Sequence, residues 1–300
     1  ARPGLAAQHV AAVRAVADIC GARVDGLSLR ARQIEFRPGR PSGGSFRFDI
    51  GTAGSATLVL QALVPAARAG ERECRVAITG GTDVRGAPPL DYLQHVLLPL
   101  LAFAGAPVSL QVRRRGYFPR GGGELEIRVT PARLRPVQLE APGAILGLHA
   151  RAHVGNLPLH IARRMLAAAE TALPGGVRRD FQALEEENAS GQGGAVVLWA
   201  QREHSVLGAG RVAERGVRAE SLGDAAGREL AADLAAGVAL DAHAADQLLV
   251  FLALAGGESS FTTRALSSHA CTAMWLIERF LPVRFETEMT GGHVRVRVRA

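Results

Sequence analysis

The order of the predicted helices and strands restricts the fold of this 300-residue chain more strongly than its composition does. Apolar periodicity and turn residues predict three helices and five strands in the first part of the sequence. The helices lie at 4–20, 54–69 and 88–104, and the strands lie at 33–37, 45–50, 75–79, 108–113 and 124–129. The elements therefore recur in the order helix, strand, helix, strand, strand. This order predicts a repeated α/β unit with helices on one face of mixed sheets, rather than a doubly wound parallel sheet.

The character of the sequence changes after Pro131 and changes back at Leu240. The region between them is rich in arginine, proline and alanine, and its acidic, glycine-rich run at 185–194 is typical of a solvated loop. Beyond Leu240, periodicity predicts two helices and a closing hairpin, at 242–255, 268–280, 283–288 and 293–299. We therefore predict an α/β (α+β) fold with a large domain of βαβαββ-type units and a smaller inserted α/β domain. The large domain comprises 1–137 and 237–300, and the inserted domain comprises 138–236.

Every basic side chain in the sequence is arginine. All 35 Lys and Arg positions are occupied by arginine, and the formal net charge is +7. The absence of lysine excludes chemistry that needs a lysine nucleophile, and it also excludes a Walker-type phosphate loop. The positive charge favours a polyanionic partner, because clustered cations release counterions from phosphates.

The cysteines and the hydropathy pattern indicate the cellular compartment of the protein. Cys20, Cys74 and Cys271 are far apart and form no C-x-x-C pair, so neither a disulfide framework nor a zinc site is predicted. No uncharged apolar run reaches the ~20 residues of a membrane span, and the sequence opens in an amphipathic segment rather than a signal peptide. We therefore expect a cytoplasmic protein that does not contact a membrane.

Short motifs of glycine, proline and paired polar residues occur along almost the whole chain outside the inserted region. In order, they are Arg2-Pro3-Gly4-Leu5 with Gln8-His9, the run 51–61, Gly80-Gly81-Thr82-Asp83 with Ala87-Pro88-Pro89, Gly116-Tyr117-Phe118-Pro119 with Gly121-Gly122-Gly123, Ala245-Asp246-Gln247-Leu248, and Ser268-His269 leading into 278–285. One glycine-rich piece would be weak evidence. Six such pieces in this order resemble the RNA 3'-terminal phosphate cyclases.

The resemblance implies an ATP-dependent enzyme that converts RNA 3'-phosphate ends to 2',3'-cyclic phosphates. A histidine attacks the α-phosphate of ATP and forms a covalent histidine–AMP intermediate, and AMP then moves to the RNA 3'-phosphate. The adjacent 2'-hydroxyl closes the cyclic phosphate and expels AMP. A divalent metal, Mg²⁺ or Mn²⁺, is implied as an assisting ion, and the implied active site lies between the large and inserted domains.

His269 matches the nucleophile of the family. Ser267 or Ser268 is expected to cap the helix over 268–280, which places His269 in the first turn. The positive end of the helix dipole disfavours an imidazolium and favours a nearby phosphate, so both a neutral nucleophile and its target are helped. The residues alone also permit an exposed histidine at a helix start with no catalytic role.

Eight further positions match nucleotide-binding residues of the family. They are Arg2, Gln8 and His9 for phosphates, Pro88, Tyr92 and His243 for an adenine pocket, Gln247 for phosphates, and Asp246 for a metal ion or for orienting a neighbouring residue. The residues alone leave structural alternatives for each group, namely a solvated helix edge, a helix-start proline with a core tyrosine, and a helix cap pair. His243 lies where the family often has an aromatic residue, and an imidazole stacks less well on adenine.

Two features allow other interpretations. Arg113-Arg114-Arg115 and Arg120 flank a turn, where they either contact RNA or form a solvated face. Family members also carry a strand and a Gly-Glu-Gly-Gly-Gly-Gln-type loop ahead of the position of Arg2, so the first repeat is expected to be incomplete. The main alternative is a catalytically inactive cyclase-like protein that binds RNA or protein, although His269 argues against it. The related enolpyruvate transferases rely on lysine, which this chain lacks.

Overall fold

The computed structural model describes residues 3–51 and 53–300, so the predicted phosphate contact Arg2 lies outside the described residues. The helices are α1 (Ala7–Cys20), α2 (Ala56–Arg68), α3 (Leu90–Tyr92), α4 (Leu98–Phe103), α5 (His160–Glu170), α6 (Ala219–Ala235), α7 (Ala242–Leu254) and α8 (Ser268–Phe280). A π-helical stretch, Leu93–Leu97, joins α3 to α4. The strands are β1 (Arg23–Asp25), β2 (Glu35–Arg37), β3 (Gly44–Asp49), β4 (Cys74–Gly80), β5 (Val108–Arg114), β6 (Gly123–Val129), β7 (Gln138–Leu139), β8 (Ile145–Gly155), β9 (Arg179–Glu185), β10 (Gly193–Arg202), β11 (Val206–Val212), β12 (Glu258–Thr263), β13 (Arg284–Thr290) and β14 (His293–Arg299).

Two four-stranded sheets repeat one βαβαββ connection. In the first, β3, α2, β4, the α3–α4 segment, β5 and β6 follow one another, and the sheet order is β3-β4-β6-β5. In the second, β7, α7, β12, α8, β13 and β14 give the order β7-β12-β14-β13. The first two strands of each unit are parallel, and the remaining pairs are antiparallel. The predicted α/β fold of repeated units is therefore confirmed.

The local sequence explains why α2 forms between the parallel strands β3 and β4. Ser55 caps the helix, since its hydroxyl accepts the Leu58 N–H at 3.2 Å. Val59, Leu63 and other apolar residues at helical spacing are buried on one side of α2. They pack into the core that the two repeated units share, so the helix is fixed with its N-terminus at one end of the sheet.

The segment between β7 and α7 forms a third four-stranded sheet, in the order β11-β10-β8-β9. Helices α5 and α6 pack with it around a separate core that includes Leu148, Met165 and Val196. The two residues of β7 pair with β12 in the sheet of the second repeated unit. We therefore propose that the inserted domain begins after Leu139, which moves Gln138 and Leu139 from the predicted inserted domain (138–236) to the large domain predicted at 1–137 and 237–300.

Two glycines of β11 let the inserted domain pack closely on the α3 region. A Cβ atom at Gly208 would lie 2.4 Å from Val96 Cγ2, and one at Gly210 would lie 3.0 Å from Pro89 Cγ. Such separations leave little or no room for a side chain at either position. The backbone of β11 therefore lies directly against the segment that begins with the predicted adenine-pocket residues.

Candidate active site

Hydrogen bonds connect the starts of α1, α2 and α3. The backbone N–H of Ser55 donates to Gln8 Oε1 at 3.2 Å. The Ser55 hydroxyl lies 2.8 Å from Thr57 Oγ1, which donates to the Pro88 carbonyl at 3.0 Å. The predicted residues Gln8 and Pro88 are therefore held at adjoining helix starts, where the partial positive charge of a helix terminus favours an anion.

A second set of contacts connects α7 to α8 beside the predicted nucleophile. Ser267 is the N-cap of α8, and its hydroxyl accepts the Ala270 N–H at 3.0 Å. The same hydroxyl donates to Asp246 Oδ1 at 2.7 Å. His269 is the second residue of α8 and its side chain is exposed. The predicted pair His269 and Asp246 therefore occupies one end of two neighbouring helices, and the imidazole is open to a ligand.

The electrostatics of Asp246 follow from this arrangement. Burial raises the pKa of Asp246, while the Ser267 hydrogen bond and the nearby His243 and His269 oppose the rise. The carboxylate is thus a half-buried anion close to two of the predicted site histidines.

Tyr92 connects α3 to α7 from beneath the surface. Its side chain is 1% exposed, and its hydroxyl donates to Asp241 Oδ1 at 2.6 Å. Its ring packs edge-on against His243, with the ring centroids 6.1 Å apart and an angle of 83° between the planes. His243 is exposed and Pro88 is half-buried, so these two predicted adenine contacts present surface directly, whereas Tyr92 supports His243 from below.

Gln247 and His9 are partly engaged in local hydrogen bonds. Gln247 Nε2 donates to the His243 carbonyl at 3.2 Å, and its buried Oε1 atom has no hydrogen-bond partner among the described residues. A buried acceptor without a partner is costly to the folded protein. His9 Nδ1 accepts the Ala6 N–H at 3.1 Å and thereby caps α1, where Ala6 has no capping group of its own.

A buried charge cluster, consisting of Asp83, Asp91, Arg115, His153 and Glu186, lies where the inserted domain meets the large domain. The Arg115 guanidinium is 2.9 Å from both carboxylate oxygens of Asp91, 3.2 Å from Asp83 Oδ2 and 2.8 Å from Glu186 Oε1. It also lies 3.1 Å from His153 Nε2. Glu186 and His153 belong to the inserted domain, so Arg115 carries charge-assisted contacts across the junction.

The structure divides the basic run: Arg115 is buried, whereas Arg113, Arg114 and Arg120 are exposed, so RNA contact and a solvated face both remain open for these three. Arg113 pairs with Glu126 and Arg114 pairs with Glu124 across β6. Arg115 is only 4% exposed, because it enters the buried charge cluster. Contact of Arg115 with RNA phosphate is excluded in this conformation.

Asp241 was missing from the sequence prediction. It is the N-cap of α7 and is 1% exposed. An aspartate directly before an apolar-periodic segment is a helix-start signal, so its capping role could have been found. Its contacts with Tyr92 and with Gly208 of β11 join residues more than thirty positions away and carry no local signal.

Residues 1–287 match a protein family described as RNA 3'-terminal phosphate cyclase. The chain belongs to this family. Proteins named RNA 3'-terminal phosphate cyclase are similar to it along nearly their whole lengths. The protein of Nitrosospira multiformis is 51% identical over 99% of this chain and 85% of its own length. Those of Hyperthermus butylicus and Pseudomonas fluorescens are each 42% identical, over 97% and 98% of this chain and 84% and 85% of their own lengths.

Membership of the cyclase family confirms the resemblance and the expectation of an enzyme of this family. Among the described residues of this cyclase-family chain, no three His, Cys, Asp or Glu side chains converge to hold a metal ion by themselves. None of the described helices is long and apolar enough to cross a membrane.

Proposed function

We propose that this protein converts RNA 3'-phosphate ends to 2',3'-cyclic phosphates in an ATP-dependent reaction that passes through a covalent His269–AMP intermediate. The observation that supports it most is the exposed imidazole of His269 in the first turn of α8, beside Asp246 and a capping serine. The helix terminus favours a neutral ring and a bound phosphate at the same place. The family match supports the substrate class.

In each step of the proposed reaction, one bond to phosphorus forms and another breaks. A ring nitrogen of His269 attacks the α-phosphorus of ATP, a P–N bond forms, and pyrophosphate leaves. An oxygen of the RNA 3'-phosphate then attacks the same phosphorus and breaks the P–N bond. Finally the 2'-hydroxyl attacks the RNA phosphorus, loses its proton and expels AMP. The helix start contributes by stabilising negative charge on the phosphates.

ATP would lie across the helix starts of α1, α2, α7 and α8. Gln8, His9 and, as the resemblance implies, Arg2 are proposed to contact phosphates, because Gln8 joins the start of α1 to the start of α2 at Ser55. Pro88 and His243 would enclose adenine, with Tyr92 holding the His243 ring from below. Gln247 Nε2, one of whose two N–H groups donates to the His243 carbonyl, would donate the other to a phosphate oxygen.

A divalent ion, Mg²⁺ or Mn²⁺, fits this site as an ion shared with the nucleotide. Mg²⁺ in nucleotide sites is commonly held by one or two carboxylates together with phosphate oxygens, so a three-residue protein cluster is not required. We propose Asp246 as the carboxylate that would hold it, since Ser267 fixes one of its oxygens and its charge interacts with His269. Bound there, the ion would neutralise phosphate charge.

RNA carrying a 3'-phosphate is the proposed second substrate, and the net charge of +7 supports a polyanionic partner.

We also propose that the reaction takes place in the cytoplasm, since Cys20, Cys74 and Cys271 are all free thiols and fit a reducing compartment.

Labelling with α-³²P-ATP and Mg²⁺ or Mn²⁺ tests this function on the full chain. We expect label on the wild-type protein and at least about a hundredfold less on His269→Ala. His160→Ala is a matched control, because His160 is also an exposed histidine at the start of a helix, α5, and this variant should label like the wild type.

RNA with a 3'-phosphate should discharge the labelled protein and acquire a cyclic end, whereas RNA with a 3'-hydroxyl should not. Equal labelling of wild type and His269→Ala would refute the proposed nucleophile. A wild-type protein that binds RNA but takes up no label under any of these conditions would support the alternative, an inactive cyclase-like binding protein.

A further inference from the structure

One buried carboxylate, that of Asp241, receives four hydrogen bonds from three parts of the molecule. Oδ1 accepts the Tyr92 hydroxyl at 2.6 Å and the backbone N–H groups of His243 and Ala244 at 3.0 Å each. Oδ2 accepts the Gly208 N–H at 3.0 Å. These donors belong to α3, to α7 and to β11 of the inserted domain.

The Gly208 contact joins the inserted domain directly to the N-cap of α7. Strand β11 is at the edge of its sheet and pairs only with β10, so its outer N–H groups need other partners. The absence of a side chain at Gly208 lets the strand approach Tyr92 and Val96, and this approach brings the N–H to Asp241.

Capping alone does not account for an aspartate at this position. Ser55 caps α2 and Ser267 caps α8, each with one hydroxyl oxygen that accepts one backbone N–H. A serine would therefore suffice to cap α7. A fully buried carboxylate costs more to desolvate than a hydroxyl, so its second oxygen must have a separate use.

We infer that Asp241 is a positioning residue that fixes the start of α7 against the inserted domain, and thereby orients the nucleotide-binding face formed by His243 and Gln247. This inference rests on the proposed function for the identity of the ligand, ATP. Asp241 itself is buried and does not touch the nucleotide; it acts through His243 and Gln247 of α7.

Two substitutions separate the capping contact from the contact with the inserted domain. Asp241→Asn keeps one carbonyl oxygen for Tyr92, His243 and Ala244 but turns an NH₂ group toward the Gly208 N–H, where two donors then face each other. Asp241→Ser keeps a cap like those of α2 and α8 and is too short to hold both Gly208 and Tyr92. Asp224→Asn is the control, because Asp224 pairs with Arg228 on the exposed side of α6.

The first measurement is amide hydrogen exchange of the full-length variants, which needs no catalytic activity. We expect faster exchange in peptides covering β11 and the start of α7 in both Asp241 variants, with wild-type exchange in the control. The second measurement is the initial rate of His269 labelling as a function of ATP concentration. We expect the KM for ATP to rise about tenfold while the rate at saturating ATP falls less than about threefold.

The outcomes separate this inference from the proposed function. Unchanged exchange in β11 and an unchanged KM for ATP in both Asp241 variants would overturn the positioning role. If Asp241→Asn does not fold, Asp241→Ser and Tyr92→Phe, which removes a single hydroxyl donor, decide the question by the same two measurements. A wild-type protein that takes up no label would instead overturn the proposed function, and the exchange result would still decide whether Asp241 couples the two domains.

Discussion

Arg115 Nη2 lies 2.9 Å from both carboxylate oxygens of Asp91, at a point where Arg115 is 4% exposed and Asp91 is completely buried. Two further carboxylates, Asp83 and Glu186, contact the same guanidinium. One guanidinium therefore contacts all three carboxylates at the junction of the two domains, and Arg151 is a second cation 3.4 Å from Asp91. Because unpaired buried charges are strongly destabilising, the stability of this junction depends strongly on Arg115.

We predict that Arg115→Met lowers the free energy of unfolding by about 3–5 kcal/mol, because it leaves buried carboxylates without their partner. Arg113→Met and Arg114→Met, at the end of β5 directly before Arg115, are matched controls. Their exposed ion pairs with Glu126 and Glu124 should be worth less than about 1 kcal/mol each. Urea unfolding followed by circular dichroism measures all three. Equal losses for Arg115 and its two neighbours would contradict the role of the buried charge cluster.

The pH dependence of stability should carry the signature of Asp241. Burial raises the pKa of Asp241 to about 6, against the hydrogen bonds from Tyr92, Ala244 and Gly208 that favour the carboxylate. The folded protein therefore binds more protons than the unfolded chain between the unfolded pKa and pH 6. In this window the contribution of Asp241 to the free energy of unfolding falls as pH rises, by at most about 3 kcal/mol.

The measurement is the free energy of unfolding of wild type and Asp241→Asn at intervals from pH 4 to pH 7.5. The difference between the two proteins should change between pH 4 and 6 and should be constant above about pH 7. Subtracting the variant removes the parallel contributions of other acidic groups, Asp246 among them, whose pKa is also raised by burial. A difference that does not vary with pH would show that Asp241 has an ordinary pKa.

The repeated βαβαββ unit could be predicted because it depends on local patterns. Ser55 before an apolar-periodic run marks the start of α2, and the alternating strand β14 marks the closing hairpin. The π-helical stretch Leu93–Leu97 could not be predicted, since its apolar residues fit a continuous helix equally well. The two-residue strand β7 was missed for a different reason, because its pairing with β12 depends on residues about 120 positions later.

The motifs that carry the polar residues of the candidate site are visible in the sequence. The contacts of the buried residues that hold the site together are not. Exposed His269 and half-buried Asp246 stand in recognisable short motifs, and the structure brings them together through Ser267. Arg115 appears in sequence as part of a basic run, but its partners Asp83 and Glu186 lie 32 and 71 positions away. Only the packing of the inserted domain on the large domain decides which arginine of the run becomes buried.

We predict that Ser267→Ala slows His269 labelling and lowers the free energy of unfolding by about 1 kcal/mol, because the cap of α8 is lost. The substitution also removes the hydroxyl that donates to Asp246, so the pKa of Asp246 should rise further. Ser267→Thr should restore both properties. Ser268→Ala is the adjacent control, since the exposed Ser268 side chain makes no hydrogen bond within the described residues. Equal labelling by Ser267→Ala and Ser268→Ala would contradict the proposed arrangement.

The close approach of β11 to the α3 region gives a prediction that does not involve charge. A methyl group at Gly208 would lie 2.4 Å from Val96 Cγ2 and 3.2 Å from Tyr92 Cε2, so β11 must move away from the α3–α4 segment to accept it. Gly208→Ala should lower the free energy of unfolding by about 1–3 kcal/mol and speed hydrogen exchange of the Gly208 amide. Gly175→Ala, in an open loop of the same domain with no atom within 4 Å of the added carbon, should change stability by less than about 0.5 kcal/mol. If both variants unfold at the same denaturant concentration as the wild type, the contact between β11 and α3 is looser than these distances require.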